Sequence, residues 1–369
     1  FGYVGHAWYQ RDIAIPREWK NQHITLNLER SKLTSVWIDD KLLGHNDSLG
    51  CEQTYDLSGR VEPGKHTLTI RVDNKTRPGE SGGHQITDQT QTNWNGIIGR
   101  MTLRADDPVW IKHVLAYPDT KKKLVRVNVT VGNITGSTVK GTITMNAHCE
   151  TGDQAHSVPP APHSFSTEAN CQTLEYTYPL GAKALEWDEF TPNLYSLKVK
   201  LEAGKHDSTK TVKFGLRRFV TEGGQFVING KKTFLRGKHD ALVWPLLGHP
   251  SMDVDDWVRV LKIAKSYGIN HYRFHSCTPP EAAFEAADRL GIYMQPELYH
   301  FGTNLGKKPS ATEYNLKEGL RILETYGNHP SFVMFTLGNE MRGSRGIRAD
   351  LLRKFRAFDN SRLYAQASN

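Results

Sequence analysis

The sequence predicts a multidomain protein in which a jelly-roll-like β-sandwich and an immunoglobulin-like β-sandwich precede part of a (β/α)8 TIM barrel. Three observations lead to this prediction. The chain has 369 residues, which is enough for two or three domains. Residues 1–107 and 108–217 contain short segments of alternating polarity and no long stretch of helical periodicity. From residue 218 to residue 369, strand-like and helix-like segments alternate, which is typical of a parallel sheet covered by helices.

The first segment, residues 1–107, has the pattern of a β-sandwich. Apolar and polar residues alternate at 24–28 and again at 67–72, as they do in strands with one buried face. Glu62-Pro63-Gly64-Lys65 has the residue types of a turn. Short strands joined by such turns are expected to pack as two sheets.

The second segment, residues 108–217, is predicted to be an immunoglobulin-like sandwich. Residues 125–131 and 142–145 alternate between apolar and polar side chains, and polar turns separate the segments. Residues 154–166 are rich in Pro, Ser and His, so a loop is predicted there.

The third segment, residues 218–369, alternates strands and helices. The predicted strands lie at 233–236, 269–274, 292–295, 332–337 and 363–366. The predicted helices lie at 254–267, 281–290, 316–326 and 347–358. Asp253 is the expected N-cap of the first helix, and Gly291 is the expected C-cap of the second. A complete barrel takes about 250 residues, so we expect this chain to end partway round one.

Composition and charge narrow the class of protein. Hydrophobic residues make up 38% of the chain and charged residues 23%, which is typical of a globular protein. No apolar run is long enough to cross a bilayer, so no membrane partner is predicted. No zinc-finger, helix-turn-helix or RNA-binding signature indicates nucleic acid. The net charge is +8, and the basic runs at Lys121-Lys122-Lys123 and Lys231-Lys232 are interpreted as solvated turns, with attraction to acidic polymers as the alternative.

The four cysteines are Cys51, Cys149, Cys171 and Cys277, and their spacing matches no zinc site. Cys149 and Cys171 fall in one β-rich segment, where they either pair in an exported protein or remain reduced. No signal peptide is present, but the chain begins inside a strand-like segment, so the natural amino terminus is expected further upstream. The compartment is left open, and a periplasmic or secreted location is favoured over a cytoplasmic one.

Polar residues collect where the predicted barrel strands end. Gly338-Asn339-Glu340 follows the apolar run 332–337, and a polar pair at that position would destabilise a closed core. The ends of the other strands carry Arg236, His239, Asp240, Arg273, His275, Glu297 and His300. In a barrel these ends meet on one face. Carboxylates, imidazoles and a guanidinium gathered there suit acid–base chemistry on a hydroxyl-rich substrate.

Each of these candidates also has a structural interpretation. Arg273 can neutralise a neighbouring carboxylate, Glu297 can brace the site, and Asp240 can cap a loop. His275 and His300 can be ordinary hydrogen-bonded residues. No metal site is predicted, because the spacing of a helical zinc site or of a facial triad is absent.

The chain resembles glycoside hydrolase family 2, the family of β-galactosidases, β-glucuronidases and β-mannosidases. Asn328-His329-Pro330-Ser331, continuing to Gly338-Asn339-Glu340, is similar to the acid/base signature of the family, and residues 270–275 with 288–293 are similar to its other signature. Further similarities lie at residues 8–11, 94–99, 192–195, 226–231 and 235–237. They preserve the domain order of the family over nearly the whole chain.

The resemblance implies a retaining exo-β-glycosidase that acts on an oligosaccharide or polysaccharide and needs no cofactor. Glu340 would be the acid/base, Asn339 would bind the sugar 2-hydroxyl, and Arg273 would orient the nucleophile. The other implied substrate-binding residues are His239, Asp240, His275, Glu297 and His300. The family's nucleophile is a Glu at the end of the seventh barrel strand, whereas this chain ends near the fifth. We therefore expect the 369 residues alone to be inactive.

Departures from the family pattern leave the sugar open. Phe335 replaces a Trp, Met341 replaces a small residue, and His275-Ser276-Cys277-Thr278-Pro279 replaces His-Tyr-Pro. A β-galactoside is the expected substrate, with a β-glucuronide or another family 2 substrate as the alternative. The alternative of another class is a non-catalytic carbohydrate-binding protein that stacks sugars on exposed aromatics. Its candidate residues are Trp8, Trp37, Trp94 and Trp110. A homo-oligomer is left open.

Overall fold

The computed structural model describes residues 3–87, 90, 92–149, 156–301, 304–306 and 308–368. Three structural units follow one another along these residues. Two sandwiches of antiparallel sheets come first, and parallel strands alternating with helices come after them. This order confirms the predicted fold class. The domain boundaries predicted at 107/108 and 217/218 fall between strands, and they remain a proposal.

The first unit is a sandwich of two antiparallel sheets. Its strands are β1 (His6–Ile15), β2 (His23–Ser31), β3 (Leu33–Ile38), β4 (Lys41–Asn46), β5 (Gln53–Asp56), β6 (Gly64–Asp73) and β7 (Ile97–Asp106). One sheet has the order β1-β6-β3-β4 and the other has the order β5-β2-β7. The inner faces share one core that includes Leu26, Leu28, Val36 and Ile70, because alternate side chains of each strand point between the sheets. Short 3-10 helices lie at Arg17–Trp19 and Pro78–Glu80.

The second unit is also a two-sheet sandwich. Its strands are β8 (Val109–Asp119), β9 (Leu124–Asn133), β10 (Val139–Cys149), β11 (Ser157–Thr167), β12 (Asn170–Pro179), β13 (Tyr195–Ala203) and β14 (His206–Phe214). The sheets have the orders β12-β9-β8 and β11-β10-β13-β14. Val125, Val127, Val129 and Val131 are fully buried in its core, as the alternation in β9 predicts.

The prediction of a loop at 154–166 is wrong for residues 157–166, because β11 occupies them; residues 154 and 155 lie outside the described residues. The loop was predicted because the segment contains several prolines. Among the described strands, β11 is at the edge of its sheet and pairs with β10 alone. An edge strand tolerates prolines because one of its sides needs no N–H donors. Cys149 and Cys171 lie on β10 and β12, in different sheets, and no disulfide joins them.

The four tryptophans proposed for sugar stacking fall into two groups. Trp94 and Trp110 are only 6% and 5% exposed, so they are core residues. The Lys32 ammonium lies 4.5 Å from the centre of the Trp94 ring. Trp8 is 59% exposed and its ring centre lies 5.3 Å from that of the half-buried Trp37. Of the four, therefore, Trp8 with Trp37 alone presents an aromatic surface to solvent.

The third unit begins with a small antiparallel sheet and continues as a parallel one. The antiparallel strands are β15 (Phe219–Glu222), β16 (Gln225–Ile228) and β17 (Lys231–Thr233). The elements that follow are β18 (Gly237–Asp240), α1 (Val254–Ser266), β19 (His271–Phe274), α2 (Glu281–Leu290), β20 (Tyr293–Gln295), β21 (Asn304–Leu305), α3 (Pro309–Tyr326), β22 (Met334–Thr336), β23 (Arg342–Gly343), α4 (Arg345–Phe358) and β24 (Leu363–Ala365).

The parallel strands make a continuous open sheet, which is the partial barrel. β18, β19 and β20 pair in that order, and β22 pairs with β24. Parallel bridges from Met294 to Phe332 and from Glu297 to Thr336 join β20 to β22. The first barrel strand is β18 and not the predicted 233–236, because β17 is already paired antiparallel with β16 before the chain enters the barrel.

Helix ends agree with the capping signals where those are strong. The Asp253 carboxylate accepts a hydrogen bond from the Asp255 N–H at 2.7 Å and caps α1. Gly291 closes α2 in the left-handed conformation that glycine adopts without strain. α3 begins at Pro309 and not at 316, since proline is favourable in a first helical turn. Among the described helices, none is long and apolar enough to cross a membrane.

Two buried charged side chains fasten the first sandwich to the barrel. Arg30, on β2, donates to the carbonyl oxygens of Thr278 at 2.8 Å and Gly50 at 2.7 Å. Glu318, on α3, accepts from the N–H groups of Leu49 at 2.9 Å and Gly50 at 2.8 Å. Both side chains are excluded from solvent. Gly50 is therefore held by a cation of the sandwich through its carbonyl and by an anion of the barrel through its N–H.

We expect Glu318→Ala to lower the free energy of unfolding by about 3 kcal/mol, because it removes charge-assisted hydrogen bonds and leaves two buried N–H groups without an acceptor. Urea denaturation followed by tryptophan fluorescence measures the change. Glu313→Ala, on the exposed side of the same helix, is the matched control and should change the free energy by less than about 0.5 kcal/mol. Equal losses in the two variants would contradict the fastening role of Glu318.

Candidate active site

The carboxyl ends of the parallel strands lie side by side. Beyond β22, the Asn339 N–H donates to the His300 carbonyl at 2.9 Å, and the Glu340 N–H donates to the Ser368 carbonyl at 2.9 Å. These bonds continue the parallel pairing past the strand ends toward the segments that follow β20 and β24. On the other side, His239 is the register partner of Arg273. His239, Arg273, Asn339 and Glu340 therefore lie along one edge of the sheet.

Arg273 is the centre of the hydrogen-bond network at this edge. Its Nε donates to Glu297 Oε1 at 2.8 Å, and its Nη2 donates to Asn339 Oδ1 at 2.6 Å. The other carboxylate oxygen of Glu297 accepts from the Ser276 N–H at 2.8 Å. Arg273 thus neutralises a buried carboxylate, as one of the two interpretations held, and it also fixes the amide of Asn339. With Oδ1 engaged, the Asn339 amide can present its N–H2 group as a donor.

Three imidazoles from three parts of the chain lie together beside this network. The ring centre of His275 lies 4.8 Å from that of His84 and 4.7 Å from that of His239. Burial, together with the neighbouring His275 and His239, lowers the pKa of His84 to about 4. Burial also lowers the pKa of His275 to about 4, helped by His239 and Arg273. At neutral pH both rings are uncharged, so each can donate and accept a hydrogen bond from a hydroxyl group.

Glu340 faces the same cluster. Its carboxylate acts on the pKa of His275, opposing the lowering caused chiefly by burial. The side chain is exposed, so it can exchange a proton with a substrate or with water. The backbone of Glu340 has a φ of +48°, which few non-glycine residues adopt. Such conformations persist where neighbouring structure holds them, and they are frequent at functional sites.

Gly338 makes this turn possible. Its φ is +140°, and a Cβ built there would lie 2.5 Å from the carbonyl oxygen of His300. A side chain at this position would therefore force apart the segments that follow β20 and β22. The glycine of the Gly338-Asn339-Glu340 motif is required by this close approach of two backbones.

His84 is a site residue that sequence reasoning missed. It lies in the first sandwich unit, between β6 and β7, far along the chain from the barrel strands. Ligand sites often form where two domains meet. The Gly82 and Gly83 N–H groups donate to the Tyr299 carbonyl at 2.9 and 3.1 Å. A Cβ on Gly83 would lie 2.2 Å from the Ser276 carbonyl oxygen. In the sequence, the two glycines before His84 indicate a close backbone contact, but they do not indicate which part of the chain the loop contacts.

The adjacent residues His239 and Asp240 have different roles. His239 is exposed and lies in the imidazole cluster. Asp240 accepts from the Leu242 N–H at 2.7 Å and contacts Lys238, so it caps the turn after β18, which was its structural interpretation. Arg236 precedes β18 and pairs with Glu189 at 3.3 Å. The structure therefore does not bring Arg236 to the carboxyl edge.

Glu297 and His300 were predicted to bind substrate, and the structure places both side chains in the interior. Each is fully buried. Neither side chain therefore reaches the space at the carboxyl edge beside His239, His275 and Glu340, which we call the cleft. Glu297 braces Arg273 from behind, as its structural interpretation held. The His300 ring lies 2.5 Å from Asn315 Oδ1 of α3, and burial lowers its pKa to about 4. Across the described ranges, no group of three or more His, Cys, Asp or Glu residues is arranged to hold a metal ion.

We expect His300 to make the fold sensitive to acid. Its pKa is about 4 in the folded chain against 6.5 in the unfolded one, so between these values the unfolded chain binds more protons. The stability from His300 is therefore complete above pH 6.5 and is lost as pH falls toward 4. His300→Gln should reduce the drop in unfolding free energy over this range by about 3 kcal/mol. His148→Gln, exposed on β10, is the control, and denaturation curves near neutral pH and near pH 4 measure both. An unchanged drop in His300→Gln would refute the prediction.

Two sequence profiles of one family match the chain. Residues 109–217 match glycosyl hydrolases family 2, and residues 219–369 match glycosyl hydrolases family 2, TIM barrel domain. The chain belongs to glycoside hydrolase family 2. The family resemblance found in the sequence is thereby confirmed, and the (β/α)8 assignment of the parallel unit with it.

The relatives of this family 2 chain carry several activities. It is 24% identical over 382 residues to a β-galactosidase of Priestia megaterium, covering 96% of this chain and 36% of that protein. A crystal structure of Bacteroides uniformis β-glucuronidase has a TM-score of 0.85 at 18% identity, covering 98% of this chain and 46% of that one. A β-galacturonidase of Eisenbergiella tayi bound to galacturonate has a TM-score of 0.83 at 19% identity, covering 98% and 64%.

The family 2 chain spans two fifths or less of the length of the curated relatives it matches. The structural likeness establishes a common fold. The names of these relatives cover galactosides, glucuronides and galacturonides, so family membership leaves the sugar open.

Proposed function

We propose that the protein is a retaining exo-β-glycosidase in which Glu340 is the acid/base. In the first step, the Glu340 carboxyl gives its proton to the glycosidic oxygen while a second carboxylate attacks the anomeric carbon and the bond to the leaving group breaks. In the second step, Glu340 takes a proton from water, which displaces that carboxylate and releases the sugar with retained configuration. The second carboxylate is expected in the part of the longer family members that these 369 residues do not span.

The orientation of Asn339 is the observation that carries this proposal. Arg273 holds the amide oxygen of Asn339 at 2.6 Å, one residue before the exposed Glu340. A donor fixed beside a proton donor suits a sugar whose 2-hydroxyl lies next to the bond being cleaved. Because Arg273 is itself held by the buried Glu297, this geometry exists before substrate binds.

A neutral sugar, and a β-galactoside first, fits the described part of the cleft better than a uronic acid. The charge of Arg273 is compensated by Glu297, and Lys238 contacts Asp240. The imidazoles of His84 and His275 are uncharged at neutral pH because their pKa values are about 4. A sugar carboxylate would therefore meet no uncompensated cation among these residues, whereas hydroxyl groups would find several donors and acceptors.

A panel of p-nitrophenyl β-glycosides tests the proposal on the intact protein. We expect kcat/KM for the galactoside to exceed that for the glucuronide and the galacturonide by at least about tenfold. If kcat/KM is instead higher for the glucuronide or the galacturonide, the protein is still a glycosidase, but its substrate is not a neutral sugar. Absence of turnover with every sugar of the panel would favour the non-catalytic carbohydrate-binding alternative.

A further inference from the structure

A groove with a volume of about 600 Å³ lies between the second sandwich and the barrel. Its walls come from the turn between β8 and β9, from β9 itself, from the connection before β15, and from residues 360 and 361 before β24. It is at the amino ends of the parallel strands, since its floor residue Arg217 bonds to the carbonyls of Pro330 and Phe332, which precede β22. The candidate active site is at the opposite, carboxyl ends. This volume is within the range of ligand sites in proteins.

The groove has a strong excess of positive charge. The basic residues in its lining are Lys121, Lys122, Arg126, Arg217 and Arg218. The acidic lining residue is Asp119, and its Oδ1 already accepts from the N–H groups of Lys121 and Lys122, both at 3.0 Å. The ammonium groups of these two exposed lysines form no ion pair with any described residue. They are thus available to an anion.

The two arginines at the rim are paired only at the surface. Arg126 lies 2.9 Å from Glu175 and Arg218 lies 3.2 Å from Glu222, and all four side chains are well exposed. Exposed pairs of this kind contribute about 0–1 kcal/mol to stability. A better-placed anion can therefore replace Glu175 or Glu222 as the partner of its arginine. The guanidinium groups offer planar forks that match a carboxylate.

Arg217 adds a buried charge at the floor. Its guanidinium donates to the carbonyl oxygens of Pro330 at 3.0 Å and Phe332 at 2.9 Å, and also contacts the Ser361 carbonyl. Its hydrogen bonds therefore go to neutral carbonyls. The nearby Asp359 carboxylate is bonded to Arg362 at 2.6 Å. Burial and the charge of Arg362 lower the pKa of Arg217 to about 10, as expected where cations are in excess.

We propose that this basic groove, defined by Lys121, Lys122, Arg126, Arg217 and Arg218, binds a uronate-bearing stretch of polysaccharide. The hydroxyl and amide groups that also line it, from Thr120, Thr177, Asn360 and Ser361, suit the sugar hydroxyls between the carboxylates. Nucleic acid fits less well, because neither aromatic ring of the lining offers a stacking surface. The Arg126 guanidinium lies over the Tyr117 ring at 4.2 Å, and Phe219 is buried.

The two sites would then bind different parts of one polymer. The cleft suits an uncharged terminal sugar, whereas the groove at the other end of the barrel retains the protein on an acidic chain. Only the statement about the cleft rests on the proposed function, and the statement about the groove does not. Binding in the groove is measured without turnover, so the two proposals fail separately.

Affinity electrophoresis of the intact protein in gels containing polygalacturonate, with titration calorimetry at low and physiological ionic strength, tests the groove. Lys121→Glu/Lys122→Glu should weaken binding by at least about tenfold. Lys231→Glu/Lys232→Glu, on the exposed strand β17, makes the same change in net charge and should bind like the wild type. Both double variants should retain the wild-type kcat/KM on the aryl galactoside, because neither changes the cleft.

Three results would overturn the inference. Equal weakening in both double variants would mean that net charge alone attracts the polymer. Binding of neutral galactan as tight as that of polygalacturonate would remove the role of the carboxylates. Tighter binding of duplex DNA than of polygalacturonate, lost in Lys121→Glu/Lys122→Glu, would assign the groove to a different polymer.

Discussion

Glu340→Gln should lower kcat of the intact protein by about 10²- to 10⁴-fold, the usual contribution of a general acid/base. Gln keeps the size of the side chain and its hydrogen-bonding atoms but cannot carry the proton that the glycosidic oxygen requires. The loss in kcat/KM, which reports the first chemical step, should be largest for alkyl galactosides and smallest for dinitrophenyl galactosides, because a good leaving group departs without protonation. Steady-state kinetics on this series of leaving groups measures the effect.

The control for this experiment is stability. Glu340 is exposed, so Glu340→Gln should change the free energy of unfolding by less than about 0.5 kcal/mol. Glu313→Gln, on the exposed face of α3, should leave both kcat and stability unchanged. A loss of kcat below tenfold that is the same for every leaving group would remove Glu340 from the role of acid/base.

Arg273→Met should be the most destabilising substitution in the cleft, by about 3–5 kcal/mol. Glu297 is completely excluded from solvent, and its partner at 2.8 Å would be gone, so a buried carboxylate would remain without its counter-ion. The same substitution releases the amide of Asn339. We therefore expect both the unfolding free energy and kcat/KM to fall.

The double variant Arg273→Met/Glu297→Gln separates these two effects. Removing the buried charge should restore a large part of the lost stability, whereas kcat/KM should stay low because Asn339 is still unoriented. Arg289→Met, in a solvent-exposed pair with Glu285 at 3.1 Å on α2, is the matched control and should cost less than about 1 kcal/mol. Recovery of kcat/KM in the double variant would show that Arg273 acts on stability alone.

Local signals predicted the elements well where the chemistry of the residues decides the conformation. The bounds of α2 and the caps Asp253 and Gly291 follow from side-chain oxygens at a helix start and from the freedom of glycine at a helix end. The position of Asn339 and Glu340 at a strand end follows from an apolar run that stops abruptly. These features depend on a few consecutive residues, so the sequence contains all that is needed.

Burial and contacts between distant segments were not predictable in the same way. His275 and His300 follow neighbouring strands, yet one lies in the cleft and the other is enclosed against α3. His275 directly follows β19, whereas His300 lies beyond the end of β20, and the contact of its ring with Asn315 of α3 encloses it. His84 shows the same limit, because the docking of its loop on Tyr299 depends on how the sandwich sits on the barrel.

The seating of Gly83 against Ser276 has a consequence for how such enzymes change. Under the proposed function, the sugar would be recognised by the barrel together with a loop of the first sandwich, so new preferences would arise by altering the loop while Glu340 stays unchanged. The same arrangement makes selectivity depend on the docking of the first sandwich. A molecule in which this sandwich has undocked from the barrel would keep Glu340 but lose the contacts of the His84 loop with the sugar.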